Sequence, residues 1–558
     1  MKSNAVYGVL LTAFSFFFFF SFPFLNSGGP KPGEEGGAES RAPSSAILSK
    51  EITQDLLRFT SRIQSNQFNL TSCEKILKSE FSKLISYKFS DFDLANIQKD
   101  AFSLLHQVFH TRLSLREKYL DLTRPYSSRS EGQIQNLSFR DQSEFSNCAW
   151  AFRRAFRGLR VLEDYLGEAS TNFPFEIERK KDGSLPAMRA FEGGPSYLQW
   201  NKKFNFPGDK YIPRSGDVIL SRGTASTSAA IARISDEDTN FSHLTMVWVD
   251  DSQGPPSPPK IETIEAHIEI GSDVFSWESY VGDGKSRAVI FRYNDPTLSN
   301  EENARKAHEA ASKVRELVKN HKAQTGQRIC YDFAMNMKDE KCIFCSEVIR
   351  IGFEKAGVLG VPFLPSPIQP KNRKFIQSIG VTENVTFAPA DIELDPRFEL
   401  VGEWRDHQRL HRTHFMDAVL TSMYRWMDDR NYELRGSFLD KFASYFGYSL
   451  RRIPVFSIPL KGKLPLNMKR EAMESVIVLN TVVNRLTDYL DEEERKLGGG
   501  AGGTKPQRFS PFQLEDLLEK LRALDERLYR EALEAGAGSV DPTNIHPYHF
   551  HSIFRGDL

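Results

Sequence analysis

The sequence predicts an α+β protein: an antiparallel sheet with packed helices, flanked by mainly α-helical N- and C-terminal regions. Two observations carry this. Within the segment from about 205 to 390, short runs alternate apolar and polar side chains with the period of two that a half-buried strand requires. On both sides of it, apolar residues return every three or four positions, as on a helix with one buried face. The chain has 558 residues, more than one compact core holds at roughly 150 residues per domain. With 40% hydrophobic and 26% charged residues it can fill cores, which argues against a mostly disordered chain. Its 73 basic and 73 acidic side chains leave a net charge of +0, so no basic excess points to a nucleic-acid partner.

Residues 1–27 open with Lys2, continue with an apolar run over 5–25 that includes Phe16 to Phe20, and end on small residues at Asn26-Ser27-Gly28. The pattern is that of an export signal. The run also reaches the about 20 residues that span a bilayer, so an uncleaved N-terminal anchor is the alternative. Residues 28–46, rich in Gly, Pro, Ser and charge, form a flexible linker. Residues 47–170 are a helical domain. Leu56, Leu57 and Ile63, then Ile76, Leu77, Phe81 and Leu84, then Leu104, Leu105, Val108 and Phe109 keep helical spacing. A further helix, about Asn147 to Leu166, carries arginines 153, 154 and 157, read as a solvated face, and Cys148, read as a packed thiol. Phe173 to Tyr211 reads as irregular.

The turn Arg214-Ser215-Gly216-Asp217 leads into a strand at Val218-Ile219-Leu220. Residues 224–235 form a short helix. His243 to Val249 is a strand with Leu244, Met246 and Trp248 on one face and His243, Thr245 and Val247 on the other. After the loop 252–260, a returning strand over 261–270 places Thr263, Glu265 and His267 on one face. Ala288 to Arg292 is a third strand, Asn300 to about Lys322 a helix, and Phe344 to Ala356 another, stopped by Gly357. Residues 391–496 read as a helical region, with helices at about 404–429 and 468–496. Residues 497–507 are a Gly-rich linker. Residues 508–558 hold a C-terminal helix and tail, started by Ser510-Pro511 and striped by Leu514, Leu517, Leu518, Leu521, Leu524 and Leu528.

The five cysteines (73, 148, 330, 342 and 345) are too few for a disulfide framework, and the odd count leaves at least one free thiol. A single C-x-x-C pair, Cys342 to Cys345, argues against a four-thiolate zinc site. Cys345 falls where a helix begins, and unpaired N–H groups and the helix dipole there favour a thiolate, the nucleophilic form. Cys342, one turn earlier, competes for the role. His243, at a strand start, is the candidate base. Glu265, across the hairpin, is the candidate acid that orients the imidazole. Ser242 and His267 are weaker alternatives.

Gly216-Asp217-Val218-Ile219-Leu220, Phe241-Ser242-His243, Ile264-Glu265-Ala266, Tyr331-Asp332-Phe333 and Cys345-Ser346-Glu347-Val348 follow one another in that order. This resembles the circularly permuted papain-like amidases, the YiiX/YaeF-like branch of the NlpC/P60 cysteine hydrolases, in which histidine precedes cysteine. The resemblance covers about 150 residues and implies a permuted papain-like sheet within 205–390. It makes Cys345 the nucleophile, His243 the base and Glu265 the third member, with no cofactor or metal. It implies acyl transfer on amide or ester bonds, in cell-wall peptides or N-acyl, lipid-like substrates. Two other functions fit the same unit: an acyltransferase, or a non-catalytic envelope protein that grips a peptide or acyl chain.

Two histidine groups, 407/411/414 on one predicted helix and 546/549/551 near the end, read as solvated or packed rather than metal-binding. Asn69, Asn136, Asn240 and Asn384 lie in N-x-S/T sequons. A glycan on Asn240 would crowd His243.

Overall fold

A computed structural model describes residues 45–85, 101–127, 139–170, 197–204, 211–235, 239–250, 252, 258–338, 340–368, 373–434, 467–498, 509, 511–534 and 554–555. The N-terminal apolar run, linker residues 28–44 and 499–507, Asn136 and the 546/549/551 histidines lie outside these, whereas 45–46 and 497–498 are helical. Among the described residues no helix is long and apolar enough to cross a membrane.

The chain begins with helices α1 (Ser45–Gln64), α2 (Leu70–Ile85), α3 (Ala101–Ser127) and α4 (Phe139–Ser170). Their periodic apolar positions meet in one core: Ile52, Leu56, Phe59 and Ile63 of α1 with Leu104, Leu105 and Val108 of α3 and Phe152, Phe156 and Leu159 of α4. A disulfide joins Cys73 of α2 to Cys148 of α4. Cys148 is therefore a cross-link, not a packed thiol. Its partner lies 75 residues away, a pairing no local spacing announces.

The next stretch builds the sheet: β1 (Tyr197–Trp200), β2 (Val218–Gly223), the short α5 (Ser226–Ile231), β3 (His243–Asp250), β4 (Lys260–His267), β5 (Gly271–Ser276), α6 (Trp277–Gly282) and β6 (Lys285–Tyr293). Helices α7 (Asn300–Thr325) and α8 (Cys345–Lys355) follow, then β7 (Phe398–Arg405). The seven strands pair antiparallel in the order β1-β7-β6-β2-β3-β4-β5. The α+β class and antiparallel sheet expected from the sequence are present. Three strands were not expected. Tyr197–Trp200 falls in a stretch read as irregular, and Phe398–Arg405 in one read as helical. β7 is enclosed between β1 and β6, so all eight of its residues are buried and the period-two signature is lost. The returning strand read over 261–270 ends at His267, and the third unexpected strand, β5, begins only at Gly271 after a turn.

One sheet face packs on α7 and α8. Val218, Leu220, Leu244, Met246, Ile264 and Val289 meet Ala307, Ala310, Ala311 and Val314 of α7 and Val348, Ile349 and Phe353 of α8. Gly352 lets α8 approach closely: a Cβ there would stand 2.8 Å from the Ala310 carbonyl oxygen and 3.1 Å from Met246. On the other face Ile219, Val247, Ala288, Ile290, Val401 and Trp404 pack with Tyr280 and Val281 of α6. The last helices, α9 (His407–Arg430), α10 (Arg470–Gly498) and α11 (Pro511–Glu534), share a core of Val419, Met423, Trp426, Val482, Leu486, Leu514 and Leu518.

A buried ionic cluster joins α3 and α4 to the sheet. Arg112, Arg160, Arg287 and Arg405 face Glu163, Asp164, Glu393 and Glu403, all at most 7% exposed at the side chain. Four guanidinium groups meet four carboxylates, so the charges balance, as burial demands. Neighbouring Arg153, read as part of a solvated face, is also buried and bonds Asp391 and Ser366 (Nη1 to Oγ, 2.7 Å).

Candidate active site

The segment before α8 is stapled in place. A disulfide joins Cys330 to Cys342, and the Ile343 N–H donates to the Cys330 carbonyl at 2.9 Å. Cys342 is thereby withdrawn as a nucleophile, and Cys345 is the free thiol among the five cysteines. Glu347, at the third position of α8, accepts the Phe344 N–H at 3.2 Å and the Arg350 guanidinium at 3.0 Å. Burial pushes its carboxyl up to about 7. These contacts fix the helix start and put the Cys345 sulfur at the first residue of α8, where N–H groups lack intrahelical partners.

Opposite stands the start of β3. The β3–β4 register pairs Met246 with Ile264 and runs unbroken to Asp250 and Lys260. Continued the other way, it brings Thr245 opposite Glu265 and His243 opposite His267. The His243 Nε2 and Glu265 Oε2 are 2.9 Å apart. Thr245 Oγ1 donates to the same oxygen at 3.1 Å, and Thr263 Oγ1 donates to Oε1 at 2.8 Å. The two hydroxyls fix the carboxylate plane, and the carboxylate fixes the imidazole. With Nε2 on Glu265, Nδ1 is left to act on the thiol of Cys345.

The electrostatics follow from these contacts. Burial alone would raise the Cys345 thiol. The hydrogen bond and charge of His243 outweigh it, aided by the Leu244 N–H and the Ser346 hydroxyl, and hold the thiol below its ordinary value. Burial alone would lower His243. Hydrogen bonds to Cys345 and Glu265 and their negative charges raise it to about 10. Burial would raise Glu265, but hydrogen bonds from His243 and His267 hold it well below the usual carboxylate range. These shifts favour a thiolate–imidazolium pair on an ionised glutamate. The His243 side chain is 17% exposed, while Cys345 beside it is buried.

The three candidate residues on three separate elements are brought together. The weaker alternatives have other work. The Ser242 hydroxyl accepts the Gly223 N–H at 3.2 Å, and His267 lies 3.4 Å from Glu265 Oε2. Asp217 of the Gly216-Asp217 turn is held by Arg292 at 2.7 Å and by the Tyr211 hydroxyl at 2.7 Å, so it anchors β2 rather than the site. Thr245, Thr263 and the Leu244 N–H were not singled out from the sequence. The two threonines were findable, because the strand alternation already places them on the faces of His243 and Glu265.

The other histidine group does not converge. His411 pairs with Glu494 at 2.7 Å and His414 with Asp164 at 3.4 Å. The side chain of His407 lies outside the described residues. Asn240 is buried, with φ of 63°, and offers its amide poorly to a glycosylating enzyme. No family model, curated protein or solved structure gives a significant match to the chain.

Proposed function

We propose that the protein is a cysteine hydrolase that cleaves amide or ester bonds through an acyl-enzyme, with a unit of the permuted papain-like type. The observation that carries this is the Cys345 sulfur at a helix start, electrostatically coupled to His243, whose Nε2 lies 2.9 Å from Glu265.

The Cys345 thiolate attacks the substrate carbonyl carbon. The N–H groups at the start of α8 stabilise the oxyanion. As the tetrahedral adduct collapses, the His243 imidazolium gives its proton to the leaving amine or alcohol, and a thioester remains. His243, now neutral, takes a proton from water. The hydroxide attacks the thioester, the acid leaves, and the Cys345 thiolate and imidazolium return. Glu265 stays ionised and stabilises the imidazolium at each stage.

The N-terminal apolar run supports export, as a cleaved signal or an anchor. The two disulfides support it too, since such bonds persist in oxidising compartments. Exported enzymes of this chemistry meet cell-wall peptides and N-acyl, lipid-like amides, which are the proposed substrate classes. An acyltransferase would use the same residues with an amine in place of water.

The test is to trap the intermediate. Protein incubated with activated esters and acyl amides of peptides and fatty acids, then acid-quenched, is expected to carry one acyl group on Cys345 by mass spectrometry. Added amine separates transfer from hydrolysis. No acylation across the panel, or acylation equal in Cys345→Ala, would contradict the reading.

A further inference from the structure

His243, Glu265 and His267 face one another with more than a triad needs. Both imidazole Nε2 atoms aim at one oxygen, Glu265 Oε2, from 2.9 and 3.4 Å. The two rings stack with centroids 5.0 Å apart, and all three ligand atoms lie within 4.8 Å of one another. His267 is held from the other side by the edge of Phe275, at 5.2 Å.

We propose that these three side chains bind a divalent transition ion of the zinc class, and that the bound ion switches the thiol chemistry off. A tetrahedral zinc with Zn–N bonds of roughly 2.0–2.1 Å holds its ligand atoms about 3.3 Å apart. Two of the three edges, 2.9 and 3.4 Å, bracket that value and the third lies within 4.8 Å, so rotations of the side chains bring the three onto one ion. Two imidazoles and a carboxylate are a donor set that zinc prefers, leaving a fourth position for water. The outer positions are prepared as well. Thr263 holds the second carboxylate oxygen at 2.8 Å, and Thr245 donates to the first at 3.1 Å. The side chains of His243 and His267 are 17% and 28% exposed, which gives the ion a way in.

Binding displaces the Nε2 proton of His243 to solvent and puts the metal in its place. His243 then keeps only the Nδ1 proton on the thiolate. Giving that proton to a leaving group would leave a metal-bound imidazolate, so acylation stalls. The ion site stands without the proposed function; only its inhibitory consequence rests on that reading.

The test uses Co²⁺ as a spectroscopic probe on the full chain carrying Cys345→Ala. The background is His110→Ala, because His106 and His110 have Nε2 atoms 2.9 Å apart on α3 and form a competing pair. One Co²⁺ per chain, with the visible absorption of a four- or five-coordinate ion, is expected. Adding His267→Ala should weaken uptake at least tenfold. No uptake, or uptake unchanged by His267→Ala, overturns the site. In the unmodified chain, micromolar Zn²⁺ should slow acylation of Cys345 at least tenfold, with recovery on chelation. Ion uptake without any acylation would remove the proposed function and leave the site. Acylation without uptake, or acylation unchanged by Zn²⁺ despite uptake, would remove this inference and leave the function.

Discussion

His243→Ala is expected to lower kcat/KM for any substrate that acylates Cys345 by roughly 10⁴- to 10⁶-fold, the loss seen when one member of a mutually dependent triad is removed. Two effects combine. Without the imidazolium, burial dominates the Cys345 thiol and pushes it back up, so fewer molecules hold a thiolate. The leaving group also loses its proton donor. The effect should fall on kcat, because the proton moves in the transition state. His243 lies at a strand start with a partly exposed side chain, so the variant should fold, which circular dichroism checks. A loss below tenfold, with the fold intact, would exclude His243 as the base.

Glu403→Gln should be the most damaging change for stability, at about 3–5 kcal/mol by urea unfolding. Glu403 Oε1 lies 2.8 Å from Arg405, 3.4 Å from Arg160 and 3.9 Å from Arg287, its other oxygen bonds Arg112, and the side chain is 1% exposed. Neutralising it leaves four buried guanidinium groups facing three carboxylates. The amide cannot accept from all of them, and its NH₂ points a donor at donors. Removing Arg405 and Glu403 together, as Arg405→Met with Glu403→Leu, should cost less than Glu403→Gln alone, since no charge is then stranded. An unchanged midpoint in Glu403→Gln would mean that the cluster is hydrated and contributes little.

The candidate site was more legible in the sequence than the fold around it. Cys345, His243 and Glu265 lie at element starts or on a cleanly alternating hairpin, where local pattern states which way a side chain faces. The helix from Phe344 and the strand from His243 are close to where periodicity puts them. β7 was not legible, because a strand buried on both faces shows no alternation, and Glu399, Glu403 and Arg405 made it look polar. Those charges are tolerated through partners on α3 and α4, nearly 300 residues away for Arg112. The disulfides were hidden for the same reason. Pairing is set by tertiary proximity, so an odd cysteine count identified a free thiol without saying which. The Cys330–Cys342 bond then chose Cys345 over Cys342.

The central claim is that Cys345 rests as a thiolate paired with His243. The most direct measurement is the rate of iodoacetamide labelling from pH 5 to pH 11, with the modified cysteine mapped. A depressed thiol titrates below its ordinary value, roughly 8.5, and a raised His243 keeps its proton up to about 10. Labelling of Cys345 should therefore set in below the pH of an ordinary thiol and then stay nearly flat until His243 deprotonates. A second change should appear near pH 10, and in His243→Ala the profile should move to that of a buried thiol. Labelling that follows a single ordinary thiol titration, unchanged by His243→Ala, would contradict the account.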